Sequence, residues 1–116
     1  MKILVVRVGR AGDMVMITPA LNVLLRAFPE AEIHILTGAE GGRILRGYHP
    51  AITRLILYRT GVLREFLERD RIRREIAGEN YSCAYVFEAH PRFQELIRSA
   101  VSTVYQLHYD PPDIHY

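Results

Sequence analysis

Strand patterns and helix patterns alternate along the whole chain, and this alternation limits the folds that are open to it. Residues 3–8 are nearly all apolar and rich in β-branched side chains, which is typical of a strand covered on both faces. Further strands are predicted at 33–37, 54–58, 83–87 and 101–107. The expected fold class is therefore α/β, a Rossmann-like parallel sheet of about five strands with helices on both faces.

Helix patterns fill the segments between these strands. After the first strand, apolar residues recur at helical spacing before a proline: Leu21, Leu24, Leu25 and Phe28. A short helix is predicted near 40–46, with Gly47 as its C-cap. The charged stretch 62–77 has no single apolar stripe, which predicts either two short helices or one kinked helix. Pro91 suits the first position of a further helix.

Composition and charge describe a globular chain of 116 residues, which predicts one domain. A net charge of +2 gives no indication of nucleic-acid binding. Arginine outnumbers lysine, a bias that suits phosphate and carboxylate ligands but also follows from a GC-rich genome. Cys83 lies in an apolar run, which predicts a buried thiol. Because no secretory signal pattern and no membrane-spanning run is present, a cytoplasmic location is expected.

A glycine-containing loop follows the first strand. Gly9 and Gly12 after a buried strand predict a helix N-terminus that can receive an anion. A dinucleotide-binding fingerprint, however, requires a first glycine where Arg7 stands and an acid where Thr37 ends the second strand. The Gly-Lys-Ser/Thr of a phosphate-binding loop is missing as well. These departures disfavour NAD, FAD and ATP as ligands.

Asp13 has two interpretations that spacing alone does not separate. Aspartate is a favourable N-cap, so Asp13 could begin a helix that kinks at Pro19. Alternatively a single turn precedes a helix that Thr18 caps, with Pro19 at its first position. The functional interpretation treats Asp13 as a carboxylate exposed in a ligand site, and it is compatible with capping.

The predicted topology brings two loops to one crevice. In the usual doubly wound order the first strand is central and the fourth strand lies beside it, and ligands bind beyond their carboxyl ends. The loop 9–13 is then expected beside the loop 88–92. Glu88 and His90 are candidates for acid–base work or acceptor contact, or they form a polar loop that caps the following helix. His34 lies within a strand and is expected to be hydrogen-bonded or to face solvent.

Three segments carry a resemblance to a known family: Arg7-x-Gly9-x-x-Gly12-Asp13, Thr18-Pro19-Ala20-Leu21 and Phe28-Pro29-x-Ala31-x-Ile33. Together they resemble the opening of family 9 glycosyltransferases, the ADP-heptose:lipopolysaccharide heptosyltransferases. The likeness is strong over 1–37 and weaker near Tyr81-Ser82, where the family often has Tyr-Asp. The chain departs from the family at Arg10-Ala11, where small hydroxyl residues are usual, and at 87–91, where many members have Asp-x-Gln-Gly.

The resemblance implies an inverting, two-domain GT-B enzyme that transfers a heptose-type sugar to a lipopolysaccharide-like acceptor. It implies that Asp13 is the general base and that this N-terminal domain binds the sugar acceptor. Glycolipids are among the acceptors that it allows. The expected acceptor-binding residues are Gly9, Arg10, Gly12, Glu88, His90 and Arg92. Arginines suit acceptor phosphates or carboxylates. The donor, expected to be ADP-heptose, would bind the C-terminal domain, so no cofactor is expected here. No metal is expected because His49, His108 and His115 are scattered without metal-ligand spacing.

The length of 116 residues is short for a two-domain enzyme, so we expect a domain fragment that is inactive alone. Its location is expected to be cytoplasmic, with peripheral contact at the inner face of the membrane. The alternative is a freestanding Rossmann-like module that binds a small anionic ligand without catalysis. A flavodoxin-like or response-regulator-like domain is disfavoured because no acidic cluster gathers at the ends of the first strands.

Overall fold

The computed structural model describes residues 1–8, 17–58, 65–87 and 91–106. Within these ranges the elements are β1 (Lys2–Val6), α1 (Thr18–Ala27), β2 (Glu32–Thr37), α2 (Ala39–Leu45), β3 (Ile52–Leu57), α3 (Glu65–Glu79), β4 (Cys83–Val86), α4 (Pro91–Arg98) and β5 (Val104–Gln106). None of the described helices is both long enough and apolar enough to cross a membrane. The predicted alternation of strands and helices is confirmed.

The strands form one parallel sheet in the order β3-β2-β1-β4-β5. Strand β1 is central: Val5 is in register with Ile35 of β2 on one side and with Tyr85 of β4 on the other. The chain therefore winds outward from β1 in one direction, returns through α3, and continues from β4 in the other direction. This is the doubly wound arrangement that the sequence predicts, with its switch point between β1 and β4.

Both faces of the sheet are covered by helices, and β1 supplies side chains to each face. Ile3 and Val5 belong to one core cluster with Leu21 of α1. Leu4 and Val6 belong to the other, which contains apolar residues of α3 and α4: Ile72, Ile76, Leu96 and Ile97. Since a strand between two helical layers has no solvated face, its residues read as a continuous apolar run.

The charged stretch after β3 forms one continuous helix over the described residues 65–79, rather than two short helices. Ile72 and Ile76, one turn apart, are fully buried against the sheet and fix its inner face. The outer face carries ion pairs between residues one turn apart, among them Arg71 with Glu75. The sheet also differs from prediction in its last strand, since β5 begins at Val104 rather than at residue 101; residue 107 lies outside the described part of the chain.

Two glycines provide a matched test of backbone preference. Gly78 lies within α3. Arg46 is the C-cap of α2, and Gly47, the predicted C-cap, is the residue after it, with φ +74°. A Cβ at either position would meet nothing within 4 Å, so packing does not contribute. We expect Gly78→Ala to raise the free energy of unfolding by about 0.5–1 kcal/mol. We expect Gly47→Ala to lower it by about 1–2 kcal/mol because alanine resists left-handed backbone.

Urea denaturation of the two variants beside the wild type measures both effects. Changes of the same sign at the two positions would contradict the difference in backbone conformation.

Candidate functional site

The carboxyl ends of β1 and β4 lie side by side, at the point where the winding of the sheet reverses. Pairing continues one residue beyond each strand. The Phe87 backbone N–H donates to the Val6 carbonyl at 2.9 Å, and the Arg7 N–H donates to the Leu36 carbonyl at 3.0 Å. The backbone is thus fixed up to the start of the two predicted site loops. Open α/β sheets bind their ligands at such a switch point.

The side chain of Arg7 joins the two strand ends directly. Its Nη1 donates to the Phe87 carbonyl oxygen at 2.8 Å, from a half-buried position. A hydrogen bond from a charged guanidinium is stronger than one between neutral groups. Where a dinucleotide-binding fold has its first glycine, this chain therefore has a residue that links β1 to the residue following β4.

Most of the predicted site residues lie outside the described part of the chain: Gly9, Arg10, Gly12, Asp13, Glu88 and His90. Arg92 lies in α4, and its side chain is also outside the described part. The structure places the points from which the two loops depart, Val8 after β1 and Phe87 after β4. The ends of β1 and β4 thus lie side by side, while the crevice and the roles of the loop residues stay predictions.

Helix α1 begins at Thr18, with Ile17 as its N-cap and without a side-chain capping hydrogen bond. The prediction that Thr18 caps this helix is therefore wrong by one residue, and Pro19 occupies its second position. The shift follows from proline, which is accepted anywhere in the first turn because those N–H groups lack helical partners. The alternative helix start at Asp13 lies outside the described residues and stays a prediction.

A buried polar network lies toward the amino ends of the strands, away from the predicted site loops. His34 is only 3% exposed; its Nδ1 is 2.7 Å from the Tyr81 hydroxyl and its Nε2 is 2.6 Å from Glu32 Oε2. Both contacts are satisfied when Nε2–H donates to the carboxylate and the hydroxyl donates to Nδ1. His34 is therefore a hydrogen-bonded core histidine, one of the two outcomes predicted for it. Burial raises the pKa of the Tyr81 hydroxyl.

Ion pairs surround this network and attach the end of α3 to the amino ends of the strands. Lys2 donates to Glu79 at 2.9 Å, and Arg54 bridges Glu79 and Glu75. The hydrogen bond from Lys2 lowers the pKa of the Glu79 carboxyl, as the His34 hydrogen bond lowers the pKa of Glu32. These ion pairs stabilise the amino ends of the strands, which are remote from the predicted crevice.

The lowered pKa values of Glu32 and Glu79 predict a loss of stability in acid. The unfolded chain takes up these protons at a higher pH than the folded chain does. The stabilisation is therefore complete above the ordinary carboxyl pKa, about 4, and is lost as pH falls through the lower folded values. We expect the urea midpoint to fall between about pH 5 and pH 3, and Glu79→Gln to flatten this dependence. An unchanged slope in Glu79→Gln would contradict the assignment.

Among the described residues, no group of three or more histidine, cysteine, aspartate or glutamate side chains is placed to hold a metal ion. Cys83 is buried, as predicted, and burial raises the pKa of its thiol. Thr37 is fully buried where a dinucleotide-binding domain has an acid. Thr37 and Cys83 thus give no support to a dinucleotide or to a thiolate nucleophile.

No family model and no curated protein sequence matches this chain. Solved structures do match its fold. The glycosyl transferase family 9 protein from Veillonella parvula DSM 2008 superposes with a TM-score of 0.73 at 24% identity, covering 84% of this chain and 28% of that one. The fold is thus the Rossmann-like α/β domain found in GT-B glycosyltransferases.

Two Escherichia coli enzymes share it. Heptosyltransferase WaaC, solved with ADP-2-deoxy-2-fluoro heptose, gives a TM-score of 0.73 at 19% identity over 92% of this chain and 36% of that one. ADP-heptose lps heptosyltransferase II gives a TM-score of 0.64 at 24% identity, over 93% of this chain and 35% of that one. The chain therefore spans about a third of the length of these structures. At such identities the likeness establishes the fold.

Proposed function

We propose that this chain is the acceptor-binding N-terminal domain of an inverting glycosyltransferase. The enzyme would transfer a heptose-type sugar from ADP-heptose to a lipopolysaccharide-like acceptor. The observation that carries the proposal is the fold shared with two heptosyltransferases over 92–93% of the chain. Independent support comes from the Arg-x-Gly-x-x-Gly-Asp pattern, which ends at Asp13 and follows the central strand of that fold.

In this proposal Asp13 is the general base. The acceptor hydroxyl attacks the anomeric carbon from the face opposite the leaving diphosphate, so the configuration inverts. A transition state of this kind has oxocarbenium character, and a carboxylate removes the hydroxyl proton as the new bond forms. Asp13 follows β1 in the sequence, and the carboxyl end of β1 lies at the switch point, which is consistent with this role.

The other loop residues are proposed to hold the acceptor. Backbone N–H groups near Gly9 and Gly12, together with Arg10 and Arg92, suit acceptor phosphates or carboxylates. Glu88 and His90 suit sugar hydroxyls. The rest of the full-length protein would bind the donor. We further propose a cytoplasmic enzyme that works at the inner face of the membrane, without a metal, a cofactor or nucleic acid.

The proposal is tested by mass spectrometry of reaction products. The full-length protein is incubated with ADP-heptose and candidate acceptors, in parallel with the 116-residue chain alone. We expect a heptose mass increment with the full-length protein and none with the isolated chain, because donor binding and stabilisation of the leaving diphosphate require the remaining sequence. Transfer by the isolated chain would contradict this division of roles.

A full-length protein that binds an anionic ligand but transfers no sugar from any donor would favour the alternative, a binding module. In that case the glycine loop would serve as an anion site without chemistry.

A further inference from the structure

We infer that Arg7 is a positioning residue that sets the spacing between the loop after β1 and the loop after β4. The inference rests on the proposed function, since these loops carry the proposed base and the proposed acceptor contacts. Arg7 would act through the backbone at the origins of both loops.

The geometry places Arg7 at a junction of the three central strands. It directly follows the last residue of β1, and its backbone N–H donates to Leu36 of β2 at 3.0 Å. Its guanidinium donates at 2.8 Å to the carbonyl of Phe87, which directly follows β4. The Phe87 N–H in turn donates to Val6 of β1 at 2.9 Å. One residue thus joins the exit of β1 to the exit of β4, across 80 positions of sequence.

Arginine suits this position for a physical reason. Where strands diverge at the end of a sheet, a backbone carbonyl loses its regular ladder partner and requires another donor. The guanidinium supplies a charged, planar set of donors at the end of a long side chain. Arg7 is half-buried, so water competes less for the Phe87 carbonyl than it would on an exposed surface.

The consequence for catalysis follows from how the proposed site is divided. Arg10 and Asp13 follow β1 in the sequence, whereas Glu88 and His90 follow β4. An acceptor that contacts both loops is aligned with the base only while the spacing of the loops is fixed. A misplacement of about 1 Å can cost about 10²-fold in rate. Loss of the Arg7 contact should therefore lower kcat with the acceptor and leave the KM for the donor nearly unchanged.

The test uses three variants of the full-length protein. Arg7→Met keeps the apolar stem and removes every donor, and Arg7→Lys keeps one charged donor. Lys2→Met is the matched control, because Lys2 makes a comparable long-range contact with Glu79 at the opposite end of β1. We expect Arg7→Met to lower kcat by about 10²-fold with the ADP-heptose KM within about twofold, Arg7→Lys to recover at least about tenfold, and Lys2→Met to stay within about threefold of wild type.

A second measurement separates the inference from the proposed function. Hydrogen–deuterium exchange reports opening of the backbone at Phe87 whether or not sugar transfer occurs. We expect faster exchange there in Arg7→Met and wild-type exchange in Lys2→Met. This result together with no transfer by the wild type would overturn the proposed function and support the link between the strands.

Unchanged exchange at Phe87 in Arg7→Met would overturn the inference. So would a loss of kcat in Lys2→Met equal to that in Arg7→Met, because the effect would then be general destabilisation.

Discussion

Asp13→Asn in the full-length protein is expected to lower kcat for heptose transfer by about 10²–10⁴-fold. Asparagine has nearly the shape of aspartate and retains a hydrogen-bond acceptor, but it cannot take the acceptor's proton at neutral pH. Binding of donor and acceptor should change little, so the loss should appear in kcat rather than in KM. Steady-state kinetics with ADP-heptose as the varied substrate measures the difference.

Asp70→Asn is the matched control for this variant. Asp70 lies on the outer surface of α3, where it pairs with Arg73 and Arg74. Exposed pairs of this kind contribute little to stability, so this variant should retain wild-type turnover. Normal turnover of Asp13→Asn would show that the base has been assigned to the wrong residue.

Leu4→Ala is expected to lower the free energy of unfolding by about 2–5 kcal/mol. Leu4 is fully buried in central β1 and belongs to the cluster that α3 and α4 cover. Truncation there loses apolar burial and leaves a cavity between a helix layer and the sheet, which both sides can close only partly. Since the free energy of unfolding of a domain is about 5–15 kcal/mol in total, this single change removes a large share of its stability.

Leu67→Ala makes the same chemical change on the solvent side of α3, where Leu67 is 66% exposed. We expect its free energy of unfolding to lie within about 0.5 kcal/mol of the wild type. Urea denaturation of both variants under one buffer condition provides the comparison. Similar losses at the two positions would contradict the described placement of β1 between two helical layers.

The class of fold could be predicted because its signals are local. A buried parallel strand appears in the sequence as an unbroken apolar run, as in residues 3–6, and its neighbours in the sheet follow from the alternation with helices. The ends of the helices and strands were harder to predict from the sequence. The helix after the glycine loop begins one residue before Pro19, and β5 begins at Val104 rather than at residue 101. Such limits depend on hydrogen bonds to distant segments, which a local pattern does not contain.

The candidate site could be predicted from the sequence only in part. Its position at the switch point follows from strand order, and the order could be predicted. The contact between Arg7 and Phe87 could not be predicted in the same way, because it joins residues 80 positions apart through the register of β1 with β4. In the sequence Arg7 appeared as a residue that replaces a fingerprint glycine and as part of the pattern that carries the family resemblance. A charged residue directly after a buried apolar strand was the available signal.

The network around His34 shows the same limit. The pairing of His34 with Tyr81 spans 47 positions and depends on where the end of α3 delivers the chain to β4. A hydrogen-bonded His34 was one of the two predictions from the sequence, but no local pattern indicates that Tyr81 is its partner. Its place near the amino ends of the strands separates it from the proposed crevice.

Ligand binding by the 116-residue chain itself tests the central claim most directly. In a two-dimensional NMR titration, a lipopolysaccharide inner-core oligosaccharide and ADP-heptose are added separately, and the amide signals of Arg7, Val8 and Phe87 are followed. The acceptor-domain account predicts saturable shifts of these amides with the oligosaccharide and none with ADP-heptose. Shifts with ADP-heptose and none with the oligosaccharide would contradict it.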